Sequence, residues 1–160
     1  MHAELLIADY HDPSHASALI SLMHAYALDP MGGGQALDSA VLAGLPAALA
    51  ALPQAFSVLA YADGQAAGLI NCLRGFSPFK CKPLINIHDV VVLPAFRRRG
   101  LTRLMLDKVQ AVARDEGCCK LTLEVLEGNE SARIAYARFG FTAYALDPAA
   151  GHAQFWQKEL

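Results

Sequence analysis

Arg97, Arg98, Arg99 and Arg103 crowd around Gly100 and Thr102, where the apolar run Val90-Val91-Val92-Leu93 is stopped by Pro94. The chemistry that such a turn suits is anion binding. Guanidinium forks match phosphate oxygens. A glycine lets the backbone approach a ligand with no Cβ in the way. The first N–H groups of a helix opening at Leu101 lack intrahelical partners and lie at the positive end of its dipole, where a pyrophosphate fits. Arginines at a helix start oppose that dipole, so an anion is wanted there. Taken alone, the turn reads equally as a solvated arginine cluster at a helix start. The sequence contains neither the G-x-x-x-x-G-K-[ST] loop nor a dinucleotide fingerprint.

A second group of candidates lies just before the turn. His88 can accept a proton near neutral pH, directly or through water. Alternatively it is a buried histidine bonded to backbone. Successive strand residues face opposite sides, so His88 and Asp89 are not expected to line one pocket, and Asp89 reads as a structural acceptor. Glu124 is either a second carboxylate at a cleft or a solvated strand residue. His11 and His15 stand four apart with no third ligand in view, which favours a surface or capping role. Cys72 and Cys81 read as small buried hydrophobes.

These residues need elements to position them. Leu5–Ala8 reads as a first strand, and Asp12-Pro13 opens a helix carried by Ala18, Leu19, Leu22, Met23 and Tyr26. Asp29-Pro30 and Gly32-Gly33-Gly34 end it in a loop that is expected to border the acceptor site. A second helix spans Asp38–Leu52, with Pro46 inside it or at a break. Phe56–Tyr61 and Ala66–Leu73 form a hairpin across Asp63-Gly64. Gly75–Pro83 reads as a loop and Leu84–Leu93 as a buried strand. Leu101–Glu116 is an amphipathic helix closed by Gly117. Leu121–Leu126 is a strand, and Asn129 opens a helix through Phe139, which Gly140 closes. Phe141–Ala145 and Gln154–Lys158 complete the pattern as last strands. The order is that of a mixed α/β domain in which a central strand runs into a glycine turn and a helix.

Composition sets outer limits. The 160 residues, 54% hydrophobic and 18% charged, suit a single domain over 1–160 with its own core. A net charge of −2 disfavours a nucleic-acid partner, so the basic patch is local. No apolar run reaches membrane-span length, and Met1–Asp9 has no signal-peptide pattern. The four cysteines include no C-x-x-C pair, consistent with free thiols in a reducing cytoplasm.

Val92-x-Pro94 followed by Arg97-x-x-Gly100-x-Thr102 resembles motif A of the GNAT superfamily of acetyltransferases, Q/R-x-x-G-x-G/A, with Thr102 where Gly or Ala is usual. Asn129-x-x-Ala132-x-x-x-Tyr136-x-x-x-Gly140-Phe141 resembles the family's motif B. Gly75–Lys80 and the His88-Asp89 pair are similar to the polyamine and thialysine acetyltransferase group, where a Glu-Asp pair often stands at the latter position. The resemblance implies a GNAT fold: a central mixed, mostly antiparallel sheet of six to seven strands flanked by four helices. It implies acetyl-CoA as co-substrate, with no metal. Backbone groups of Val90, Val91 and Val92 would pair with the pantetheine arm. The turn Arg97, Arg98, Arg99, Gly100, Leu101, Thr102 and Arg103 would hold the pyrophosphate. Asn129, with Ala132 beside it in motif B, would bond the pantetheine or its neighbours, and Tyr136 would protonate the departing thiolate. His88 would be the base that frees the attacking amine. The expected acceptor is a primary amine of a small molecule such as a polyamine or amino acid. A protein N-terminus or lysine, or a catalytically silent acyl-CoA-binding module, are the alternatives. A homodimer, through the last strands, is implied by resemblance alone.

Overall fold

The computed structural model describes residues 2–160. Its contacts divide the chain into two compact units, Met1–Leu123 and Glu124–Leu160. In the first unit, β1 (Ala3–Ile7), β2 (Ala55–Ala62), β3 (Gln65–Ser77), β4 (Lys82–Val92) and β5 (Leu121–Leu123) form one sheet in that order. Neighbours are antiparallel except for β5, which runs parallel to β4. A parallel pair cannot be joined by a tight turn. α3 (Leu101–Asp115) supplies the crossover, while α1 (Pro13–Leu28) and α2 (Ser39–Ala50) bridge β1 to β2.

Local chemistry explains the boundaries. Asp12 accepts from the amides of Ser14 and His15, and Pro13 sits at the first helical position, so α1 starts where a cap and a pre-set φ coincide. Asp38 caps α2 in the same way, and Pro46 lies inside that helix rather than at a break. Asp63 and Gly64 both take positive φ, as a two-residue hairpin turn demands.

The sheet is covered on both faces. Leu19 and Leu22 of α1 pack with Leu59, Leu69 and Val91 in one buried cluster. On the other face Gly68 leaves room for Met105 of α3: a Cβ there would come within 2.9 Å of the Met105 methyl and 3.1 Å of the Val91 carbonyl. Arg74 ties β3 to the end of α3, its guanidinium donating to both oxygens of Glu116 at 2.6–3.0 Å.

Two segments of the first unit differ from expectation. Gly75–Pro83 is mostly ladder: Gly75 pairs with Leu84, Phe76 with Pro83 and Ser77 with Lys82, which narrows the loop to Pro78–Cys81. Gly75 is shielded by the Leu84 side chain, and Pro83, though no donor, accepts from the Cys119 amide. The strand expected to reach Leu126 ends at Leu123.

The second unit holds α4 (Glu130–Phe139), capped by the Asn129 side chain and closed by Gly140. Phe141–Ala145 and Gln154–Lys158 are not strands. Asp147 caps a 3-10 turn at Pro148–Ala150, and the flanking chain makes one isolated bridge, Ala145 to His152. One bridge without a neighbouring ladder does not propagate into a strand. Among the described residues the sheet therefore has five strands rather than six to seven, and the α-helices number four as expected.

Candidate active site

The basic turn begins where β4 ends. Pro94–Phe96 makes a short 3-10 turn, Arg98 takes φ 60° and Gly100 takes φ 83° before α3 begins. No side chain caps α3. The amides from Arg98 to Thr102 donate to no protein acceptor among the described residues. Left-handed residues among right-handed ones aim successive N–H groups into a concavity that favours an anion. A Cβ built on Gly100 meets nothing within 4 Å, so space for a ligand lies above it. The arginines are partly engaged. Arg97 donates through Nε to the Val92 carbonyl and forms a 2.6 Å ion pair with Asp29. Arg99 lies over the Phe96 ring, and Arg103 reaches Asp107 at 3.7 Å. The Leu101 side chain is core, so only its backbone faces outward. Thr102 is half-buried.

Strand β5 pairs only with Ile85–Ile87. On that side the backbone of Val90, Val91 and Val92 has no strand partner among the described residues. Across β3 the ladder slips: Cys72 faces Ile87 while Asn71 faces Asp89, leaving His88 as the extra residue of a β-bulge. The bulge corrects the expectation that His88 and Asp89 must face opposite sides. Asp89 accepts from Asn71 on the α1 face of the sheet. His88 Nδ1 lies 3.4 Å from Oδ1 of Asn86, whose partner Leu73 is on that same face. Strict alternation predicts sides only where the ladder is regular.

His88 is exposed, not a buried structural histidine. Asn86 donates through Nδ2 to Thr122 Oγ1 at 3.1 Å, which turns its carbonyl oxygen toward His88. That pairing places the imidazole proton on Nδ1 and leaves Nε2 as an acceptor. Sequence reading missed Asn86; its i−2 spacing from His88 on a strand was the available signal.

In the second unit, Asn129 Oδ1 accepts from the Ala132 amide, so that oxygen serves as the cap of α4. Tyr136 is the buried residue of α4 and meets the Phe141 ring edge-on, with centroids 6.0 Å apart. Glu124 is exposed. His15 Nδ1 accepts from the Asp9 amide, which gives it a capping role. Burial pushes the Cys72 thiol up to about 12, whereas Cys81 is exposed. Among the described residues, no three His, Cys, Asp or Glu side chains are grouped to hold a metal ion.

Together, fold and turn define a class: a mostly antiparallel sheet whose fourth strand runs through an open-amide turn into a helix and then a parallel crossover. The chain belongs to the Acetyltransferase (GNAT) family, whose model matches residues 20–141. It is 37% identical over 65 residues to a streptothricin acetyltransferase of Streptomyces lavendulae, covering 41% of this chain and 34% of that protein. It is 38% identical over 56 residues to the thialysine N-epsilon-acetyltransferase of Bos taurus, covering 35% and 33%. These matches span about a third of each relative. Among solved structures, aminoglycoside N-acetyltransferase AAC(6')-Iy in complex with CoA aligns over 99% of this chain and 96% of that one, with TM-score 0.76 and 18% identity.

Proposed function

We propose that this chain is an acetyl-CoA-dependent N-acetyltransferase acting on a primary amine of a small molecule in a ternary complex. The observation that carries the reading is the run of open amides from Arg98 to Thr102 above an uncluttered Gly100, in a chain of this family. Those amides would take the pyrophosphate, aided by Arg98, Arg99 and Arg103. The open edge of Val90–Val92 and the amide of Asn129 would hold the pantetheine. His88 Nε2 would take the proton of the acceptor ammonium. The neutral nitrogen then attacks the thioester carbonyl, the C–S bond breaks, Tyr136 would protonate the departing thiolate, and the proton that the nitrogen sheds on becoming an amide would restore the Tyr136 hydroxyl through solvent.

Relatives named for streptothricin, thialysine and aminoglycosides support an amine-bearing small molecule as acceptor. We place the enzyme in the cytoplasm, as a homodimer formed through the segment after α4. No helix among the described residues is long and apolar enough to cross a membrane.

Acetyl-CoA should raise the melting temperature, because a ligand that binds only the folded state stabilises it by mass action. Gly100→Glu should remove that shift by filling the turn with a carboxylate. A shift that survives the substitution rules out this turn as the pyrophosphate site. Release of free thiol in a screen of primary amines would then identify the acceptor.

A further inference from the structure

Four side chains form a row of hydrogen bonds across the α1 face of the sheet. The Tyr10 hydroxyl lies 2.8 Å from Ser57 Oγ, Ser57 donates to Asn71 Oδ1 at 2.6 Å, and Asn71 Nδ2 donates to Asp89 Oδ2 at 3.0 Å. Ser57 is 0% exposed and Asn71 8%. The direction of the row follows from its end. A carboxylate only accepts, so Asn71 must turn its N–H toward Asp89 and its carbonyl back toward Ser57. That carbonyl only accepts, so Ser57 donates to it and receives from Tyr10. Burial pushes the Tyr10 hydroxyl up, which keeps the proton that the row requires. An amide does not pass a proton along, so the row orients a group rather than conducting charge. Buried polar groups of this kind are costly unless fully paired, and acetyl transfer as proposed above gives the row no task.

Its end point supplies one. The bulge brings Asp89 onto the same face as His88, and Asp89 Oδ1 takes no hydrogen bond among the described residues. Asn71 also donates to the Met23 sulfur at 3.3 Å, and the charges of Asp89 and Asp29 both reach Tyr26. Asp89 therefore lies toward the end of α1, where the loop 29–35 begins, with one carboxylate oxygen open to a cation; Asp29 nearby is already paired with Arg97.

We propose that Asn71, with Ser57 and Tyr10 behind it, is a positioning residue that fixes Asp89 beside His88 as the docking carboxylate for the acceptor ammonium. The inference rests on the acetyl-transfer reading. The ammonium is held by Asp89 Oδ1, gives one proton to His88 Nε2, and the neutral nitrogen attacks.

The test measures kcat and both KM values for the wild type, Asn71→Leu, Ser57→Ala, Asp89→Asn and the double variant Asn71→Leu/Asp89→Asn. The acceptor is the best of thialysine, spermidine and kanamycin in a thiol-release assay. Asn71→Leu and Asp89→Asn should each raise the acceptor KM by about tenfold or more, the value of a charge-assisted hydrogen bond. The acetyl-CoA KM and the acetyl-CoA melting shift should stay as in the wild type. The double variant should be no worse than Asp89→Asn, because Asn71 acts only through Asp89. An unchanged acceptor KM, or additive losses in the double variant, overturns the proposal. If Asn71→Leu does not fold, Ser57→Ala and Asp89→Asn decide: an acceptor KM raised in both supports it, and one raised in neither overturns it. A wild type that shows the acetyl-CoA shift but no thiol release with any amine overturns the acetyl-transfer reading itself, and this inference with it.

Discussion

At the scale of single residues, the site depends on groups whose orientation is set by a neighbour. His88 is useful as a base only if Nε2 is free of its proton, and Asn86, itself held by Thr122, arranges that. His88→Ala should therefore lower kcat/KM by roughly a hundredfold and remove the acidic limb of its pH profile. A variant that keeps that limb shows that some other group, or bulk solvent, deprotonates the amine. Tyr136 makes the complementary case. Tyr136→Phe keeps the ring that packs on Phe141 and loses only the hydroxyl. Turnover should fall by roughly a hundredfold while the acetyl-CoA melting shift remains; a fully active variant ends the acid role. Gly100 and the Asn129 cap were legible in the sequence because backbone demands restrict residue type directly. The shared face of His88 and Asp89 was not legible, because the bulge is fixed by pairing with Asn71 and Cys72 on another strand.

At the scale of elements, the loop after α1 and the basic turn before α3 are joined by an ion pair. Asp29 ends α1, caps the Pro30–Gly32 turn through Oδ1 and holds Arg97 through Oδ2. The Arg97 guanidinium, and then the Met31 amide, hold the Asp29 carboxyl below its ordinary value of 3.8. A depressed carboxyl stabilises the fold fully above its unfolded value and loses that contribution as pH falls through the lower folded value. Asp29→Asn should thus melt lower than the wild type at neutral pH, by about 1 kcal/mol or less for so exposed a pair. The gap should close as the pH drops below about 4, where the wild-type carboxyl also takes up its proton. Equal melting at neutral pH would show that the pair contributes nothing. This contact joins residues far apart in the chain and left no mark on the local pattern. The helices α1, α3 and α4 were readable from caps and apolar spacing, whereas Gly75 and Pro83 masked a ladder that tertiary pairing imposes.

At the scale of the whole molecule, the segment after α4 is where pattern and structure part. Phe141–Ala145 and Gln154–Lys158 carry aromatic residues that strands favour, yet strand pairing needs a partner, and among the described residues this segment makes one isolated bridge, Ala145 to His152. Tyr144, Leu146, Phe155 and Trp156 stand 64–83% exposed. Apolar side chains gathered on an exposed segment mark an interaction surface, and a second copy of the chain is the partner that the proposed homodimer supplies. Trp156 is the only tryptophan, so its fluorescence reports on this segment alone. Diluted chain should emit as a solvated indole, and emission should move to the blue as concentration rises and the ring leaves water. Sedimentation velocity over the same range should show the mass double. Trp156→Glu should hold the chain as a monomer, because a carboxylate buried at an interface without a partner costs several kcal/mol. A concentration-independent spectrum together with a monomeric wild type would remove the dimer and leave the exposed segment without a partner of its own kind.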